Sequence, residues 1–321
     1  MQKISRKFKS AYYLMANSPK PIETIARQVN KNIRQYIVNF RNGKPFIYKR
    51  YGFEFICIPE SKTSVNLYIS HQCFDEIELL IARDWLSEGD TCIDLGANMG
   101  YFSAFFAKNV CTKGKVIAVE ASRQTSEYVQ KAIDLLSLKQ IYLEQVCVTD
   151  QNGLVEFMVS RDGHVDVKQS LKVNPSEADF FKKEIIQSTT LNQLINNHKT
   201  LHNVSLVKID VEGAEPLVLR KGNLLFHEES LPLFIVEIYK VGLSRLGFAP
   251  KDVWNFFKPH LFDLYYVNRS YPNPMPELSY GVLYKLLNPE DHNWPWLSNL
   301  VAIPKVGKYS NRRKNIAKYL L

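Results

Sequence analysis

The feature that most constrains the fold is IDLGANMGYFSAFFAK, residues 93–108, in which an apolar run meets an aromatic-rich helical pattern through Gly96 and Gly100. A short run with no polar interruption reads as a strand buried on both faces. Such strands belong to parallel sheets covered by helices. A glycine turn between strand and helix lets the backbone approach a ligand and points unused helix N–H groups at it. In an open α/β sheet that place lies outside the carboxyl ends of the strands.

Alternation continues on both sides of this turn, so an α/β, doubly wound, mostly parallel sheet is expected. Helices are expected over 74–86 (closed by Gly89), 101–108, 123–138, from 191 to 195, 214–221 and 254–258. Strands are expected over 91–95, 116–119, 141–148, 204–209, 233–238, 263–267, 281–286 and 300–303, with an antiparallel one over 154–159. The polar stretch 160–188 reads as a lid or insertion, and Pro272, Pro274 and Pro276 lie in a connection. Before this run, residues 1–45 are basic and helix-tolerant, and 46–58 and 65–69 read as short strands. The expected organisation is an N-terminal helical and β cap over 1–70, a main domain over 71–304 and a basic tail over 305–321.

With 321 residues, 45% hydrophobic and 23% charged, the chain has the composition of a globular enzyme and not of a disordered or coiled-coil protein. The net charge of +9 draws on Lys3, Arg6, Lys7 and Lys9 at one end and on Lys305, Lys308, Arg312, Arg313, Lys314 and Lys318 at the other. Solvated basic termini are expected in preference to a nucleic-acid surface. Five cysteines, Cys57, Cys73, Cys92, Cys111 and Cys147, form no CxxC pair, which excludes a zinc or disulfide framework and suits a reducing compartment. No 18-residue apolar run appears, so a cytoplasmic protein with no transmembrane segment is expected.

Glu120 ends the strand VIAVE, 24 residues after Gly96. A carboxylate there accepts hydrogen bonds from both ribose hydroxyls of a nucleoside. Asn98 stands where a dinucleotide fingerprint needs its middle glycine, which disfavours a pyrophosphate. Asp94, at the end of its strand, can accept from an ammonium or hold the loop. A nicotinamide-dependent oxidoreductase and a non-catalytic nucleoside- or RNA-binding module remain alternatives.

DLGANMGYFS at 94–103, VIAVEAS at 116–122 and VKIDVEGAEPLVLRKG at 207–222 together resemble the three signature blocks of the FkbM-type methyltransferase family. The resemblance spans about 74–238. It departs at Asn192, where the family has an aspartate. It implies a Rossmann-like, seven-stranded class I methyltransferase fold, S-adenosyl-L-methionine as methyl donor, and a sugar, glycan or other small-molecule hydroxyl as acceptor. The implied cofactor-binding residues are Asp94, Gly96, Ala97, Asn98, Gly100, Tyr101, Glu120, Ala121, Ser122 and Asp210. It also suggests an acidic approach to the donor by Asp75 and Glu76, where a solvated helix face is the plainer expectation.

An alcohol acceptor sheds a proton, so a carboxylate within about 3 Å of it can act as general base. Asp210 and Glu212, just past strand 204–209, and Glu237, near the end of strand 233–238, are the expected catalytic residues. Three carboxylates on one rim could also hold Mg²⁺ or Ca²⁺, and Glu212 could instead cap the short helix after it. Lys208 is expected in a salt bridge. His198 and His202 lack the glutamate of a zinc helix. Cys147 is expected to pack, and Trp294 and Trp296 to form a hydrophobic clasp or line an acceptor pocket.

Overall fold

A computed structural model describes residues 21–50, 52–70, 75–161, 169–199, 204–267, 283–287, 289–290 and 293–321. The expectations placed on Lys3, Arg6, Lys7, Lys9, Cys73, Phe74, His202, Pro272, Pro274 and Pro276, and on 162–168 of the insertion, fall outside these residues.

Thirteen strands are described. They are β1 (Phe46–Arg50), β2 (Phe53–Cys57), β3 (Thr91–Leu95), β4 (Lys115–Val119), β5 (Ile141–Glu144), β6 (Cys147–Thr149), β7 (Gly153–Ser160), β8 (Phe181–Thr190), β9 (Val204–Ile209), β10 (Leu233–Tyr239), β11 (Phe262–Val267), β12 (Leu283–Lys285) and β13 (Leu297–Pro304). Eight form one sheet in the order β12-β11-β13-β10-β9-β3-β4-β5. Pairing is parallel from β5 through β10, and β13 runs antiparallel to both its neighbours. The order reverses between β3 and β9, which makes their carboxyl ends the crevice of a doubly wound sheet. The sheet is the expected seven strands with the three-residue edge β12 added.

Strand alternation divides the core between two faces. Cys92, Val116, Leu206 and Ile235 pack with Ile81, Trp85 and Phe106 of helices Glu76–Trp85 and Tyr101–Val110. Ile93, Ile117, Ile209 and Val236 face the opposite way, toward Leu194, Val218 and Val253. Both faces of β3, β9 and β10 are therefore covered, as their mostly apolar sequences require.

Several expectations are corrected. The run 141–148 is two strands: β5 stays in the main sheet, and β6 leaves it to pair with β8 in a small sheet of order β6-β8-β7. The run 65–69 lies in a helix, Lys62–Ile69, because Ser61 caps it by accepting from Ser64 N and one face (Leu67, Tyr68, Ile69) is buried. Helix Glu76–Trp85 ends before Gly89, which turns the chain into β3 at φ +86°. The helix expected over 254–258 is Lys251–Trp254.

Residues 305–321, read as solvated, pack against the domain. Tyr309 and Ile316 are buried. Arg312 pairs with Asp90, Arg313 with Asp263, and Lys318 with Asp84 at 2.8 Å. Three of the tail's cations thus find internal acids far away in the sequence, while Lys305, Lys308 and Lys314 are exposed as expected.

Candidate functional site

The turn after β3 is built for close packing of the chain on itself. Gly96 has φ +81°, and a Cβ there would sit 1.8 Å from the carbonyl oxygen of Asp210. Gly100 has φ +78° and faces Val129, so it lets helix Tyr101–Val110 approach helix Arg123–Leu136. Contrary to the expectation of unused amides, Gly96 N and Ala97 N both donate to Val119 O at 2.9 Å, and Gly100 N donates to Ala97 O at 2.8 Å. Asn98 N donates to Glu120 Oε2 at 2.9 Å. The turn therefore offers shape and not a nest of donors, which suits a ligand without phosphate.

Glu120 is buried, and its other oxygen accepts from Ser122 N at 3.0 Å. Burial pushes its pKa up to about 7; the two amides pull it down, and the neighbouring charges of Asp94 and Asp210 add to the rise. Each carboxylate oxygen keeps a second lone-pair direction open to a hydroxyl donor.

A cleft of about 890 Å³, measured out to open solvent, runs along the carboxyl ends of β3, β4, β9 and β10. Gly96, Asn98, Glu120 and Ala121 line one side, and Asp210, Glu212 and Glu237 the other. The small sheet roofs it with Cys147, Phe157 and Leu171. The acidic oxygens of Asp210, Glu212 and Glu237 lie within 4.8 Å of one another. Burial, and then the charges of Asp210, Glu212 and Glu215, push the Glu237 carboxyl well above its usual pKa.

Other expected residues stand behind the cleft. Asp94 is fully buried, and its Oδ2 accepts from Ser103 Oγ. Burial raises its pKa. Tyr101 packs on Phe55, with ring centroids 4.8 Å apart. Ser122 caps helix Arg123–Leu136 by accepting from Thr125 N. Ala97 is buried, and Gly100 serves packing. Of the cofactor residues expected from the sequence, the cleft thus brings together Gly96, Asn98, Glu120, Ala121 and Asp210.

Beneath the acids lies a buried ion pair. Lys208 Nζ stands 2.8 Å from Asp210 Oδ2 and 4.7 Å from the ring centre of Phe102. Burial alone would lower its pKa, but Asp210 and Asp94 outweigh that and hold the ammonium firmly charged. Glu212 does not cap the following helix. No side chain caps it; Glu215, at its first position, ties down the preceding loop, its Oε1 accepting from Val211 N and Gly213 N at 3.1 Å each. Burial raises Glu215 to about 7.

The remaining candidates are structural. His198 Nε2 lies 2.8 Å from Glu144. Burial lifts the Cys147 thiol to about 12, too high for a nucleophile at neutral pH. Trp294 is buried and stacks on Trp254 at 5.6 Å, which is the clasp, while Trp296 is half exposed beside Tyr239. Asp75 begins helix Glu76–Trp85 in a left-handed conformation, and Glu76 is buried. Sequence reasoning placed Glu215 in a first helical turn, where it stands, but missed its hold on the loop before it and the cleft residues Phe157 and Leu171, which left no motif.

The family model described as Methyltransferase FkbM domain matches residues 94–264, more than half of the chain. No curated protein matches the sequence. Among solved structures, methyltransferase FkbM from Methylobacillus flagellatus KT is 11% identical, with a TM-score of 0.39, over 75% of this chain and 52% of that one. A SAM-dependent O-methyltransferase from Thermotoga maritima is 14% identical, with a TM-score of 0.37, over 81% and 77%. An rRNA methylase from Streptococcus thermophilus is 9% identical, with a TM-score of 0.38, over 70% and 93%.

Proposed function

The chain belongs to the FkbM methyltransferase family and is an S-adenosylmethionine-dependent methyltransferase; we propose that its acceptor is a hydroxyl of a sugar, glycan or other small molecule. The observation that carries this reading is one cleft with Glu120 on one wall and Asp210, Glu212 and Glu237 on the other. S-adenosylmethionine, when bound, supplies an already activated methyl group, so alignment is the main task left to the protein.

In this reading Glu120 accepts from the ribose hydroxyls, and Gly96, Asn98 and Ala121 shape the wall beside it. Asp210 and Glu212 take the proton from the acceptor oxygen. Glu237 stays protonated and donates a hydrogen bond that fixes the acceptor. Lys208 orients Asp210 from below. Residues 51–321 carry a net charge of −2, so the chain's excess of positive charge lies in residues 1–50 and not in the part that forms the cleft. Among the described residues no helix is long and apolar enough to cross a membrane. With Cys57, Cys92 and Cys147 as free thiols, we place the reaction in the cytoplasm.

Calorimetry with S-adenosylhomocysteine tests the donor wall: saturable binding is expected, weakened about tenfold or more by Glu120→Ala. Unchanged affinity in that variant removes Glu120 from the site. Incubation of cell extract with deuteromethyl-labelled donor should label a hydroxyl compound, and loss of labelling in Asp210→Asn is expected. NADH fluorescence should stay unenhanced; an enhancement would favour the oxidoreductase reading instead.

A second reading is favoured by the clustered oxygens of Asp210, Glu212 and Glu237, which suit Mg²⁺ as well as a proton. Cation binding would displace the proton of Glu237, so Mg²⁺ affinity should rise with pH and vanish in Glu237→Gln. Equal activity with Mg²⁺ and with excess chelator would exclude it.

A further inference from the structure

Helix Pro21–Phe40 lies outside the site and carries a surface that the enzyme reading does not use. Ile22, Ala26, Val29, Ile33, Tyr36 and Phe40 follow one another at steps of four and three residues, which places them on one stripe of the helix. That stripe is open to solvent: Ile22 is 82% exposed, Val29 49%, Ile33 54%, Tyr36 69% and Phe40 77%. The helix is held to the domain by other residues. Val38 is buried with Cys57, Tyr68 and Ile69, and Arg34 donates to Tyr68 O at 2.8 Å.

Charge shows what covers the stripe. Residues 1–50 contain twelve Lys and Arg and one acid, Glu23, a net charge of +11 in a chain whose total is +9. Lys31, Arg41, Lys44 and Lys49, on or just after the helix, are exposed. A second copy of the chain packed on this stripe would set two such segments side by side. A nucleic acid would neutralise the cations but leave the isoleucines and aromatics without a use. An anionic lipid surface satisfies both at once, with apolar side chains in the acyl boundary and cations at the phosphates.

We propose that helix Pro21–Phe40 seats the protein on an anionic bilayer surface, stripe inward. The inference does not depend on the acceptor of the methyl group. Its test is flotation of the full chain with phosphatidylcholine vesicles, with and without phosphatidylserine. Binding to the phosphatidylserine vesicles alone, weakening as salt rises, is expected. A Val29→Glu, Ile33→Glu double variant should fold normally, since both side chains are exposed, and bind about tenfold more weakly or less. Arg41→Glu with Lys44→Glu, just past the end of the helix, should weaken binding about tenfold. No flotation, equal flotation with both vesicle types, or wild-type binding by both variants overturns the proposal. So does sedimentation equilibrium showing a lipid-free dimer that Val29→Glu, Ile33→Glu dissociates, because a second copy would then own the stripe.

Discussion

Gly96 joins the donor wall to the acid wall. Its missing side chain lets the end of β3 touch the Asp210 carbonyl, and its positive φ sets the direction of the turn. Gly96→Ala therefore faces both a backbone clash and left-handed strain, and it should cost about 3 kcal/mol or more. Urea unfolding measures this, and S-adenosylhomocysteine affinity should fall with it. Gly89 is the control, because it shares the positive φ but has nothing within 4 Å of an added Cβ. Gly89→Ala should cost only about 1–2 kcal/mol. Equal costs would mean that strain alone, and not the β3–β9 approach, makes glycine necessary at 96. Lys208 is a second single-residue device, its charge buried between Asp94 and Asp210. Lys208→Met strands those carboxylates without their cation and should lose about 3–5 kcal/mol in the same assay. A loss below about 1 kcal/mol would show that the pair only offsets its own desolvation.

Elements differ in how far the sequence announces them. Strands β3, β4, β9 and β10 were legible because burial on both faces makes most of their positions apolar, with exceptions such as Asp94, Lys208 and Glu237 near their carboxyl ends. Glu120, Asp210 and Glu237 were legible because strand ends fix where a carboxylate stands. β8, FKKEIIQSTT, was not, since its pairing with β7 leaves much of it in water and its lysines answer local acids such as Glu156 and Glu184. The cleft residues Phe157 and Leu171, from β7 and the stretch after it, were hidden as well, because no motif marks them. Residues 305–321 misled in the other direction: three of their cations looked solvated because Asp84, Asp90 and Asp263, which receive them, lie far upstream. Ile316, buried beside this network, tests the docking of that segment. Ile316→Ala should cost about 2–5 kcal/mol and lower the melting temperature of the whole domain in one transition. A separate, early transition with the main melt unchanged would make the segment an independent appendage.

Across the whole molecule, acids of opposite behaviour set how stability depends on pH. Glu120 and Glu215 are lifted from 4.5 to about 7 by burial, and Glu237 is raised in the same direction by burial and its acidic neighbours. Folded pKa values above the unfolded ones give stability that is complete below the unfolded value and is lost as pH rises through the folded one. Asp84 and Asp263 act the other way. Burial works against their charge, but Arg83, Lys318 and Tyr319 around the first, and Arg313 and Lys285 around the second, depress both pKa values. Their contribution holds above the usual 3.8 and is lost as pH falls through the folded values. Stability of the ligand-free protein should therefore peak near about pH 4–5 and decline toward about pH 8. Glu237→Gln, which cannot ionise, should flatten part of that decline and raise the melting temperature at the alkaline end. S-adenosylhomocysteine should act most strongly there as well, because ribose hydroxyls donating to Glu120 favour its charged form, so the stabilisation by ligand should widen through about pH 7. A melting temperature flat from about pH 5 to pH 8, with and without ligand, would mean that these carboxylates meet water freely and that the cleft is not the low-dielectric site its walls describe.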